Sequence, residues 1–192
     1  MTSRRHPYAS LPDYAFWRRS VARIEMQDVD PVTNAPFRLS PTEKIATAGS
    51  CFAQNVARYL QDSGFNYFVT EAAHPMMPPE VAAANNYGAY TARYGNIYTA
   101  IQLLQLIDRV YGRFEPVEDV WEEIDGSFVD RFRPNIQTDV FASFQEYSAD
   151  RDTHFSAVRV AFENLDLFVF TLGLTEAWAS KADGAVYTIC PG

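Results

Sequence analysis

Two nucleophilic side chains stand next to each other in IATAGSCFAQNVARYL, residues 45–60, where a short apolar run breaks at Gly49 and Ser50-Cys51 lead into a helical pattern. A side chain set between a strand and the following helix emerges at the carboxyl edge of a sheet, where open α/β folds bind ligands. It also meets the unpaired N–H groups and dipole of the helix N-terminus, which favour negative charge. A thiolate gains from both, so Cys51 is placed for nucleophilic attack, whereas Ser50 would need a general base. The same tripeptide also reads as a plain turn, with Ser50 as N-cap and Cys51 as a small buried filler.

Two other blocks could supply partners. In TLGLTEAW, residues 171–178, an apolar run ends at Gly173 and is followed by Thr175 and Glu176. In a parallel sheet this loop would share an edge with Gly49–Cys51, and its N–H groups and the Thr175 hydroxyl would be available to an oxyanion. Taken alone, the block favours a plainer role, with Thr175 capping a short helix and Glu176 in its first turn. In RYGNIYTA, residues 93–100, Asn96 is a natural N-cap for the helix that follows, and Gly95 N–H and the Asn96 side chain are further oxyanion donors. No HExxH, CxxC, P-loop or GxGxxG pattern occurs, so neither a metal nor a cofactor is expected. Of the three histidines, His6 lies near the start, His74 precedes a proline-rich loop, and His154 sits beside the stripe of Phe155, Val158 and Phe162. His154 reads as an exposed or half-buried structural histidine, and none of the three is an evident base for Cys51.

The elements that would position these groups follow an α/β pattern. Residues 45–48 predict a strand, and Phe52, Val56, Tyr59 and Leu60 predict the inward face of a helix closed by Ser63-Gly64. FNYFVT at 65–70 alternates as a second strand. Residues 96–112 predict a helix with Ile97, Ile101, Leu104 and Ile107 on one face and Gly112 at its stop. Asp125-Gly126 and Asp183-Gly184 predict hairpin turns. A long amphipathic helix from about Phe144 to Asn164 leads into LDLFVFTLG, which reads as a buried central parallel strand.

The 192 residues suit one domain with a sizeable core, and 47% hydrophobic with 15% aromatic content excludes a disordered chain. A net charge of −8 with scattered basic residues excludes a nucleic-acid or anionic-membrane surface as the expected partner. The N-terminus lacks the apolar core of a signal peptide, and LDLFVFTLGL is too short to span a bilayer. With two cysteines, Cys51 and Cys190, and no disulfide framework, a cytoplasmic setting is expected.

The string GSCFA within KIATAGSCFAQNVARYL, together with RYGNIYTA, FVDRFRPNI, FVFTLGLTEAW and HPYASLPDYAFWRRSV, resembles the GSCFA family over His6 to Gly192. That resemblance implies a place among the SGNH (GDSL-like) hydrolases, with a flavodoxin-like three-layer α/β/α fold. Gly49, Ser50 and Cys51 would then match the Gly-Asp-Ser block, with Cys51 at the nucleophile and Ser50 in reserve. Gly95 falls at the second Gly block, and Gly173-Leu174-Thr175-Glu176 at Gly-x-Asn-Asp, with Thr for Asn and Glu for Asp. The late Asp-x-x-His of those enzymes has no match. Residues 1–40, rich in turn formers and aromatics, read as an ordered arm that packs on the domain by its rings. The resemblance implies that 41–192 is the first portion of a domain incomplete at its C-terminus, with its general base beyond Gly192. The implied activity is an esterase-like hydrolase or acyltransferase acting on a small-molecule or carbohydrate ester. The alternative is a non-catalytic domain binding a carbohydrate or acyl ligand.

Overall fold

A computed structural model describes residues 6–30, 32 and 35–190. The chain divides into two units, Met1–Leu39 and Ser40–Gly192. Among the described residues of the first are a 3-10 turn at Asp13–Ala15, the short helix α1 (Trp17–Ser20) and a second 3-10 turn at Met26–Asp28. Arg4 and Arg5 at its start, and Pro191-Gly192 at the end of the chain, lie outside the described residues.

The second unit mixes helices with short ladders, an α/β arrangement. Strand β1 (Ile45–Gly49) is buried at every residue and leads into α2 (Cys51–Asp62). Helices α3 (Pro79–Ala84) and α4 (Ala100–Val110) follow, then the hairpin β2 (Val120–Glu122) and β3 (Phe128–Asp130). Helix α5 (Phe144–Asn164) feeds β4 (Leu167–Thr171), and a small hairpin of β5 (Trp178–Ala179) and β6 (Val186–Tyr187) comes last. Both Asp-Gly pairs occupy these hairpin turns, with Gly126 at φ +82° and Gly184 at φ +76°.

Strands β1 and β4 pair in parallel, from Ile45 opposite Leu167 to Gly49 opposite Thr171. The other edge of β1 is covered piecemeal. Phe68 N–H donates to Ile45 O, Thr47 N–H to Thr91 Oγ1 (3.1 Å), and Ile97 N–H to Gly49 O (2.7 Å). The strand expected at 65–70 therefore reduces to one bridge, Tyr67 with Ile45, because Thr70 N–H bonds instead to Thr91 O. The apolar run expected to be a buried strand forms β4, which is half-buried throughout, and its far edge has no ladder partner among the described residues. Phe168 and Phe170 pack with Ala48, with Ala157 and Val158 of α5, and with Val110 of α4 to make the core.

Two helix faces differ from the periodicity reading. In α2 the buried side chains are Ala53, Ala57 and Leu60, while Phe52 and Tyr59 are exposed. Small residues let this helix lie close to β1, and the large ones turn outward. In α4 the buried positions are Gln102, Arg109 and Val110, with Ile101 and Leu104 exposed. The polar pair is used internally: Gln102 Nε2 donates to Tyr187 O at 2.9 Å, and Arg109 stacks 3.7 Å from the Phe132 ring centroid. No helix among the described residues is long and apolar enough to cross a membrane.

Candidate functional site

The site is built outward from the end of β1. Gly49 has φ +140°, and a Cβ there would lie 2.1 Å from Thr171 Oγ1 and 2.6 Å from Thr171 O. Only glycine lets β1 finish this close to β4 and swing into α2. Ser50 Oγ accepts the Phe52 N–H at 3.3 Å, so Ser50 is the N-cap of α2. Cys51 is the first residue of the helix and is exposed, so it is not the buried filler.

The other two blocks reach the same edge. The 2.7 Å bond from Ile97 N–H to Gly49 O pins the loop containing Gly95 and Asn96 to the end of β1. Gly173 N–H and Leu174 N–H both donate to Tyr98 O at 3.1 Å, and a Cβ at Gly173 would lie 3.7 Å from that of Ser50. Gly49–Cys51, Gly95–Tyr98 and Gly173–Leu174 thus converge at the carboxyl end of the parallel pair. Asn96 is not a helix cap: the N-cap of α4 is Thr99, three residues later, which forms a capping box with Gln102. Asn96 Oδ1 instead accepts from Gln54 Nε2 (3.1 Å), and its Nδ2 donates to Tyr98 OH (3.2 Å). Thr175 and Glu176 begin no helix and are exposed. Glu176 lines a cleft of about 410 Å³ with Tyr98, Leu174, Trp178 and Tyr187, and Thr175 stays outside it.

Sequence reasoning missed Tyr90. Its hydroxyl accepts from Gln54 Nε2 at 2.8 Å, and it lines a small cavity with Gly95, Asn96 and Tyr98. Burial, then the neighbouring phenols of Tyr98 and Tyr67 and the Cys51 thiol, push its pKa up to about 12, so it keeps its proton at neutral pH. Gln54 carried a signal: it lies one turn beyond Ser50 on a helix whose first residue is the cysteine.

A buried ionic network lies behind this edge. Arg133 bonds Asp130 Oδ2 through Nε and Asp150 Oδ2 through Nη2, each at 2.7 Å. Arg93 reaches Asp150 Oδ1 at 3.0 Å, and its N–H donates to Glu71 Oε2 at 2.6 Å. His154 lies 2.7 Å from the same Glu71 oxygen and is 1% exposed. The expectation of an exposed or half-buried His154 is therefore corrected. The inward face of α5 carries it with Tyr147, Ala157, Val158 and Ala161, and Glu71 supplies the partner that lets imidazole be buried. No group of histidine, cysteine, aspartate and glutamate among the described residues is arranged to hold a metal ion.

This network fixes the response to acid. Burial pushes the Asp130 carboxyl up, but Arg133 and Arg109 outweigh it and hold it below the usual 3.8. Burial likewise raises Glu71, and the bonds from His154 and Arg93 N–H with the Arg133 charge bring it below 4.5. Burial and Arg133 hold His154 below 6.5 despite Glu71. All three groups bind protons more readily unfolded than folded. Their stabilisation is therefore complete above the unfolded values and is lost as pH falls through the folded ones. The urea midpoint is expected to hold from pH 8 to about 6.5, then drop first through His154 and again through the carboxylates. The first drop should be absent in His154→Gln.

An α/β domain with a cysteine-bearing turn at the carboxyl edge of a parallel strand pair is the class defined by these features. The GSCFA family model matches residues 44–192, and the chain belongs to the GSCFA family. Neither a curated protein nor a solved structure matches the chain.

Proposed function

We propose that this chain carries an SGNH-like hydrolase or acyltransferase site, on a flavodoxin-like α/β/α plan, that acts on an ester or O-acyl substrate. The observation that supports this reading most directly is the meeting of three loops at the strand ends around an exposed cysteine at a helix N-terminus. Cys51 Sγ gives up its proton and attacks the acyl carbon, the ester C–O bond breaks, and the departing alkoxide takes up that proton. Water or an acceptor alcohol then cleaves the thioester. Donors for the intermediate oxyanion are the Cys51 and Gly95 N–H groups, the Asn96 amide and the Tyr90 hydroxyl. Ser50 Oγ is engaged by the Phe52 N–H, which favours Cys51 over Ser50 as nucleophile.

A second reading is favoured by one observation: the roomier cleft beside this edge is lined by Tyr98, Trp178 and Tyr187, not by Cys51. Aromatic walls with one carboxylate, Glu176, suit a carbohydrate or acyl ligand that is bound without turnover. Incubation with p-nitrophenyl acetate followed by peptide mass spectrometry separates the two. Catalysis predicts an acetyl adduct on Cys51, discharged by hydroxylamine and lost in Cys51→Ala, with Cys190 unmodified under the same conditions. An unmodified Cys51 would leave the binding reading.

A further inference from the structure

The hairpin of β5 and β6 sets two aromatic side chains together. Trp178 pairs directly with Tyr187 across the ladder, so both leave it on the same face. Tyr98 joins them as a third ring in the cleft of about 410 Å³ beside the carboxyl edge. Two of these rings are held in place before any ligand arrives. Tyr98 O accepts from the Gly173 and Leu174 N–H groups, and its hydroxyl accepts from Asn96 Nδ2 at 3.2 Å. Tyr187 is buried, packs on Phe132 with ring centroids 5.4 Å apart, and its O accepts from Gln102 Nε2 at 2.9 Å. Trp178 is the opposite case. It is 56% exposed, and its ring meets no other ring or cation among the described residues.

Charge decides what such a cleft can hold. Gln102 is engaged by Tyr187 O and by its capping box, and the Thr188 hydroxyl donates to Phe132 O at 3.1 Å. Glu176 differs: it is exposed, and its carboxylate has neither a hydrogen bond nor an ion pair among the described residues. No lysine, arginine or histidine among the described residues lines the cleft. Arg131, which reaches the Tyr187 hydroxyl at 3.4 Å, is already paired with Glu118. A neutral ligand would leave the Glu176 charge unmatched, and an anion would be repelled by it. An organic cation gains from the carboxylate and from the ring quadrupoles together, and the net charge of −8 steers it towards the protein. We propose that this cleft binds a small organic cation of the methylated ammonium class, seated among Tyr98, Trp178 and Tyr187 with Glu176 as its counter-charge. Such a group is weakly hydrated, so aromatic rings replace its water at little cost. The proposal goes beyond both readings above and holds whether or not Cys51 turns over a substrate.

The test is calorimetric titration of the full chain with choline, with its neutral isostere 3,3-dimethylbutan-1-ol, and with methyl glucoside. Choline is expected to bind at one site, about 10-fold or more tighter than the isostere, and added salt should weaken it. Trp178→Leu should weaken choline binding about 10-fold and Glu176→Gln about 3-fold or more. Both side chains are exposed, so neither variant should shift the urea midpoint appreciably. If Trp178→Leu disturbs the hairpin, the wild-type comparison of choline with its isostere decides. Equal binding of choline and the isostere would show an apolar pocket, and tighter binding of the glucoside a carbohydrate site. Either result overturns the proposal, as does choline that fails to bind or that binds both variants like the wild type. Cys51→Ala should bind choline unchanged, and a Cys51 that takes no acetyl group removes the nucleophile reading alone.

Discussion

Arg133→Met is expected to cost about 3–5 kcal/mol of stability, enough to leave a domain of ordinary stability largely unfolded. Arg133 is the hub on which Asp130, 2% exposed, and Asp150 depend. Removing it leaves a buried carboxylate hydrogen-bonded only by the backbone N–H groups of residues 132 and 133 on Oδ1, with the more distant Arg109 charge as its remaining cationic neighbour. The penalty comes from the unmatched charge left behind, and this has a consequence for the double variant. Adding Asp130→Asn removes the charge while keeping an acceptor for both N–H groups, so it should recover part of the loss. The exposed pair Arg19–Asp13, at 3.1 Å, is the control: breaking it should not shift the urea midpoint measurably. Equilibrium urea unfolding of the four proteins checks the pattern, and a mild effect of Arg133→Met would show that the network is solvated.

Gly49→Ala is expected to cost about 3 kcal/mol or more, combining backbone strain at φ +140° with overpacking against Thr171. The two sources can be told apart. Thr171 Oγ1 is buried and makes no hydrogen bond among the described residues, so Thr171→Ala alone should change stability by about 1 kcal/mol or less. In the double variant the 2.1 Å contact with Oγ1 is gone, but the carbonyl oxygen at 2.6 Å and the strained φ remain. Rescue should therefore be partial. Full rescue would mean that the hydroxyl contact alone makes alanine intolerable. Because Ser50 and Cys51 follow directly, the Cys51 alkylation rate in these variants also reports how far the turn has moved.

Local signals were easiest to read where one residue type has one physical use. Asp-Gly pairs, the long 3.6-residue pattern of α5, and glycines at the ends of β1 and β4 all correspond to elements that form. Periodicity misled where small or polar residues face inward. Ala53 and Ala57 carry little hydrophobic weight, and Gln102 and Arg109 look like surface residues until Tyr187 O and the Phe132 ring supply partners. In the site, the glycines and Cys51 were visible because a strand-to-helix turn leaves a local signature. Tyr90 was not, since its partner Gln54 lies 36 residues away, and neither was the buried Glu71–His154 pair behind the site, whose members are 83 residues apart. Asn96 shows the same limit in miniature: its cap signal is satisfied by Thr99 instead, which frees the amide for Gln54 and Tyr98.

The parallel ladder of β1 and β4 follows directly on a bond from Lys44 N–H to Asp166 Oδ2, 122 residues apart. The loop of Gly95, Asn96 and Tyr98 is strung between its two strands, and the Gly173–Leu174 block follows the second. During synthesis, β1 and α2 leave the ribosome long before their main partner exists, with the Tyr67 bridge and the Thr91 and Ile97 loops to occupy one edge. Closing so long a loop carries its entropic cost before any ladder contact offsets it, which favours slow, late and concerted assembly. The Cys51 turn is therefore among the first parts of the domain to be made and among the last to acquire its shape. Until then its thiol is exposed in an unstructured chain, where chemistry and quality control meet it as an ordinary cysteine.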